Sequence, residues 1–345
     1  MFLKDPPLPR FVAVLIVGLF VGRAADAFAQ DSARSSETRV DPGPIWTLRT
    51  ENDKFSTVPG GTDRYYTAGN QISWMSSPGR VPEAASDLAR YLYGDGRTWI
   101  GVSIAQEIYT PADTTRTRAD PRDRPYAGHL YATTTLIQDV VNRRDVLAAS
   151  LGVIGPLALG RQVQNGFHVL IGVKQTHGWS AQLPDEPAAE VTASRTWRVN
   201  LTSAGPLEVD ALPAVALGVG TVRDYAALGG RLRIGHGLSR DFGPARITDG
   251  GNGQDAFMPG DGLGYYAFVG ASGQAIARDA FLDGALFARS ASVHKRDLLG
   301  NFEGGVAVLW RGARISYTHT WQTDAFRGAK AGLFNFGSIA ASVRF

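Results

Sequence analysis

Ser338-Ile339-Ala340-Ala341-Ser342-Val343-Arg344-Phe345 ends the chain. Ile339, Ala341, Val343 and Phe345 alternate with Ser338, Ala340, Ser342 and Arg344, so an extended strand would carry an oily face and a small or polar face. The same period of two recurs in Ile100, Val102 and Ile104 against Gly101, Ser103 and Ala105. It recurs again in Val306, Val308 and Trp310, and in Ala313, Ile315 and Tyr317. The 41 glycines, turn clusters such as Asp249-Gly250-Gly251-Asn252-Gly253, and Trp46, Trp74, Trp99, Trp310 and Trp321 near strand ends complete an all-β reading. Soluble sandwiches share that pattern. The small or polar second face and the phenylalanine at the end of the last strand favour a closed antiparallel transmembrane β-barrel over residues 45–345.

Export agrees with this. Lys4 and Arg10 precede an apolar run from Phe11 to Val21, and Ala27-Phe28-Ala29 is an A-x-A site, so residues 1–29 read as a signal peptide. Residues 30–44 read as a flexible lead-in. The apolar run is too short to span a bilayer, and no later stretch is long enough for a transmembrane helix. The chain has no cysteine, which excludes disulfides, thiolate nucleophiles and Cys-ligated zinc. The formal charge of +3 is spread over scattered arginines, which argues against nucleic acid and for lipid phosphates as the anionic partner. One segment breaks the β pattern. Residues 157–172 space their apolar side chains at three to four and predict a short helical insertion bearing Gln164 and His168.

There is no G-x-S-x-G, H-E-x-x-H, P-loop or EF-hand motif, so any active site must be assembled from scattered positions. Among the six histidines a general base working near neutral pH is expected. Polar groups cluster at Glu51-Asn52-Asp53, Thr62 to Gly69, Gln106 to Pro111 and Asp123 to Gly128. A structural reading makes them a lumen ladder, with Asp63, Glu107 and Asp123 neutralising Arg64, Arg118 and Arg124. A functional reading leaves Asp53 to bind a hard cation.

Asn52-Asp53, Thr62 to Gly69, Gln106 to Pro111, Asp123 to Gly128, Gly152 to Pro156, Gln164-x-x-x-His168 and Gly178-Trp179-x-x-Gln182-Leu183 resemble, in order, the LpxR-like lipid A 3'-O-deacylase family. The resemblance is specific over about Glu51 to Glu186 and generic beyond. It implies a monomeric twelve-stranded barrel in the Gram-negative outer membrane. It also implies a calcium-dependent site between the wall and a short helix, hydrolysing an ester-linked acyloxyacyl chain of lipid A in lipopolysaccharide. His168 would activate water, Asp53 would ligate calcium, and Asn52 and Thr67 would position the ester or its oxyanion. Arg116 is the nearest match to a basic residue of the family's site. Lys174 stands where the family pattern places a second acidic ligand, so calcium would need Glu107, Asp185, Glu186 or backbone oxygens. A non-catalytic channel or assembly barrel and an outer-membrane phospholipase are the competing readings.

Overall fold

Strand follows strand from Ile45 to Arg344, each hydrogen-bonded to its neighbour in the computed structural model, which describes residues 42–55, 64–118, 120–247, 253–330 and 332–345. The signal-peptide reading, most of the lead-in, Thr62 and Asp63, and residues 249–252 of the glycine turn lie outside the described residues. The strands are β1 Ile45–Asn52, β2 Tyr65–Met75, β3 Arg97–Thr110, β4 Ala127–Val140, β5 Arg143–Ile154, β6 Glu186–Trp197 and β7 Val199–Ala204. They continue as β8 Leu207–Gly220, β9 Arg223–His236, β10 Gly264–Asp279, β11 Leu298–Trp310, β12 Ala313–Gln322 and β13 Phe334–Arg344. β1 pairs with both β2 and β13, and β6 pairs with β8, so the sheet closes on itself. The ring holds twelve strands. β7 is the extra one: it prolongs β6 past Arg198 and pairs only with β8.

Burial along strands of the ring is the reverse of a soluble protein. In β1 Thr47, Arg49 and Glu51 are buried while Trp46 and Leu48 are exposed, and in β13 Ser338 and Ser342 are buried while Ile339 and Val343 face out. Apolar side chains outside and polar side chains inside are what hydrocarbon on one side and a filled lumen on the other require. Ile72, Val102, Ile104, Leu151, Leu232, Val306 and Ile315 continue the outer belt.

The lumen is filled from both ends. At the end that carries Phe345, residues 237–247 and 253–258 fold inward and meet the wall through charge. Asp255 pairs with Arg49, lies 3.6 Å from Arg314 and accepts from Ser73 at 2.6 Å. Asp241 holds Arg233 at 2.7 Å and Arg314 at 3.2 Å, and the main-chain N–H of Ile247 reaches Glu51 at 2.8 Å. At the opposite end Phe281, in the short helical turn Ala280–Asp283, stacks on Tyr109, and Tyr66 packs edge-on to Phe336.

Of the expected ladder, Asp63 lies outside the described residues, Asp123 helps hold the buried Arg124 in its charged form, and Glu107 is held by other partners. Glu107 faces the lumen but accepts from Tyr109 at 3.0 Å and Tyr131 at 3.3 Å, and lies 3.3 Å from His129 Nδ1. Asp123 accepts the main-chain N–H groups of Ala112 and Arg124. Arg118 is exposed. Loop carboxylates at a strand end are claimed by nearby backbone donors before a distant arginine reaches them.

Candidate active site

Strand parity divides the first polar string between two compartments. Glu51 points into the lumen, where Tyr66 donates to it at 2.8 Å, whereas Asn52 is on the outer face. Gly69 is required there, since a Cβ would come 2.0 Å from the Tyr66 hydroxyl. Register then aligns a row across four strands: Asn52 opposite Ala68, Ala68 opposite Ile108, and Ile108 opposite Gly128. These outward positions are covered rather than open to lipid. Ile108, Tyr126, Trp179 and Ala68 form one apolar cluster, and a Cβ on Gly128 would lie 3.1 Å from the Gly160 nitrogen and 3.2 Å from the Ala158 Cβ.

The cover is the predicted insertion. A 3-10 turn Pro156–Ala158 leads into helix α1, Gly160–Leu170, which packs against β3 and β4. Gln106 secures the turn by donating to the Ala158 carbonyl at 2.6 Å. Gly160, Gln164 and His168, spaced by four, are the buried face of α1. Leu159 before it is left-handed at φ +60°, and so is Tyr65 at the start of β2 at φ +64°.

A bulge places Thr67. Tyr66 pairs with Tyr109 and Ala68 with Ile108, which leaves Thr67 extra, and its hydroxyl lies 2.7 Å from that of Thr110. Asp53, in the 3-10 turn Asp53–Phe55 that follows Asn52, is buried and accepts from the Arg64 N–H at 3.0 Å. Register and the bulge thus bring Asn52, Asp53 and Thr67 together at one end of the β1–β2 pair.

His168 Nδ1 lies 2.7 Å from the Lys174 carbonyl oxygen. A carbonyl only accepts, so Nδ1 carries the proton and the neutral ring keeps its basic lone pair on Nε2. Position 174 serves through its backbone, and its side chain is exposed. Gln164, one turn earlier, was singled out in the motif but not given a role. Its Oε1 is 3.1 Å from Trp179 Nε1, a group that can only donate, so the oxygen faces Trp179. The Nε2 donor is then buried with no hydrogen-bond partner among the described residues, an arrangement costly enough to need a reason.

Arg116 lies at the rim. Its carbonyl backs onto Gly178, next to Trp179, while the guanidinium is exposed and 3.6 Å from Asp120. The proposed substitute calcium ligands are engaged elsewhere: Glu107 in the lumen, Asp185 on the Leu157 N–H at 2.7 Å, and Glu186 on the Leu286 N–H at 2.7 Å. Asp53, by contrast, lies next to Asn52 in the turn after β1.

Tyr65 and Tyr66, read as wall supports, take that role: the Tyr65 hydroxyl accepts from the Lys330 N–H at 2.7 Å and Tyr66 holds Glu51.

Comparison with known proteins agrees with the architecture. LpxR from Salmonella typhimurium superposes with a TM-score of 0.71 at 18% identity, over 87% of this chain and 100% of that one. The β domain of the Bordetella autotransporter BrkA matches at a TM-score of 0.44 and 12% identity, over 88% of this chain and 99% of that one. No curated protein sequence matches the chain. The family model described as outer membrane protein LpxR matches residues 12–345, and the chain belongs to that family of outer-membrane β-barrels.

Proposed function

We propose that the protein is a lipid A 3'-O-deacylase that hydrolyses an ester-linked acyloxyacyl chain on the outer face of its own barrel. The observation that carries this reading is the covered wall, where the helix packed on β3 and β4 buries a histidine with a backbone-fixed tautomer, while Asn52 and Thr67 lie on the neighbouring β1 and β2. Nε2 of His168 takes a proton from water as the water oxygen bonds to the ester carbonyl carbon. The carbonyl oxygen becomes an oxyanion, and the Gln164 Nε2–H, the Asn52 amide and the Thr67 hydroxyl are the donors available to it. Collapse restores the carbonyl, breaks the bond to the sugar oxygen and releases the fatty acid. The leaving oxygen takes its proton from the His168 imidazolium. No serine or cysteine nucleophile is needed.

Asp53 beside the Asn52 amide suits a hard, oxygen-seeking cation, and with Lys174 in place of an acid the donor set carries a single negative charge. Such a set fits calcium weakly. When bound, calcium would polarise the ester carbonyl.

The filled lumen weighs against the channel reading. A phospholipase would use the same groove on a different ester, so the two substrates separate those readings. The decisive experiment is mass spectrometry of lipid A from cells expressing the wild type or His168→Ala. The wild type is expected to remove one acyloxyacyl mass and the variant none, with phospholipids unchanged in both. Loss of that mass in the variant would overturn the role of His168.

A further inference from the structure

Helix α1 has three faces, and the groove uses one of them. At about 100° per residue, Leu159, Val163, Phe167 and Leu170 form a continuous stripe next to the buried Gly160, Gln164 and His168. The exposed Arg161 and Gln162 lie on the far side together with Val169, while Asn165 turns to Thr176 and bonds it. The stripe is not covered by protein: Phe167 is 48% exposed and Leu170 80%, and Leu157, Val163 and Ile171 are exposed too. An apolar patch of that size on a loop in water would favour aggregation.

We propose that this stripe lies in the acyl-chain region of the outer leaflet, making α1 an interfacial helix with the wall on one side, lipid on the second and water on the third. The partner follows from continuity. α1 is reached from the end of β5, whose outward Leu151 belongs to the lipid-facing belt, through the exposed Leu157 and Leu159. An amphipathic segment with Leu, Val and Phe on one face and Arg and Gln on another is what settles at such a boundary. On the functional reading above, on which this clause alone rests, a lipid would then enter sideways from the leaflet, beneath the helix, without leaving the membrane.

The chain has no cysteine, so single cysteines can be introduced without background. Phe167→Cys and Leu170→Cys report the stripe, Arg161→Cys and Gln162→Cys the watery face, and Val163→Cys replaces either stripe position that perturbs folding. Each carries a bimane label on the full-length protein in phosphatidylcholine vesicles containing lipopolysaccharide. Phosphatidylcholine brominated along its acyl chains is expected to quench the stripe labels severalfold more than the watery ones, and aqueous iodide is expected to do the reverse. Equal iodide quenching at all positions overturns the proposal. Stripe labels shielded from both quenchers overturn it as well, since protein or a second copy would then cover the face. Repeating the measurement in His168→Ala separates this result from catalysis: quenching persists in a dead enzyme, and a failure of the hydrolase reading leaves it standing.

Discussion

His168 is oriented by a main-chain carbonyl, so the identity of the side chain at 174 and the protonation pattern of the base are decoupled. The Lys174 side chain bears on cation affinity instead. Half-maximal calcium activation is expected at roughly 10⁻⁴–10⁻³ M, the range of sites with few charged ligands, and activation complete at micromolar calcium would contradict the single-carboxylate set. Gln164→Leu keeps most of the side-chain volume and removes the buried N–H donor. Its kcat is expected to fall by about 10²-fold, the scale of losing one oxyanion donor, with KM little changed. A rise in KM alone would make Gln164 a binding group. His168, Asn52 and Thr67 could be named as candidates because their motifs resemble the family's. Gln164 could not be, because its role depends on which end of the amide Trp179 occupies.

Elements decide which of these residues meet. Parity sends Glu51 and Glu107 into the lumen and Asn52, Gln106 and Ile108 to the outer wall, and this much follows from counting along a strand. The bulge at Thr67 does not follow from counting, since nothing in Tyr65-Tyr66-Thr67-Ala68 marks the extra residue. The helical insertion was visible in its spacing, but its seat on β3 and β4 was not, because it depends on the missing side chain of Gly128. Gly128→Val is expected to lift α1 from the wall and lower activity at least tenfold, while the barrel still migrates as a folded, heat-modifiable band. Unchanged activity would mean that the helix seat is not part of the site.

At the scale of the whole molecule, closure was legible from alternation, and the family resemblance supplied the count of twelve. The charge network inside was not legible, since Arg49, Asp255, Arg314 and Asp241 are brought together only by the inward fold of residues 237–247 and 253–258. Burial alone would raise the Asp241 carboxyl, but Arg233 and Arg314 hold it at about 2, below its ordinary 3.8. A carboxyl depressed in this way stabilises the fold fully above its ordinary value, and that contribution is lost as pH falls through the folded one. The heat-modification midpoint is therefore expected to drop between about pH 4 and pH 2 and to lose that step in Asp241→Asn. Asp255→Ala, which strands Arg49 and Arg314, is expected to cost about 3–5 kcal/mol in denaturant unfolding. With aromatic rings at one mouth and this salt-linked segment at the other, the barrel is a plinth and not a pipe. A cell could make many copies of it without admitting small antibiotics through its permeability barrier, so the abundance of the protein can be set by the need to remodel the surface alone.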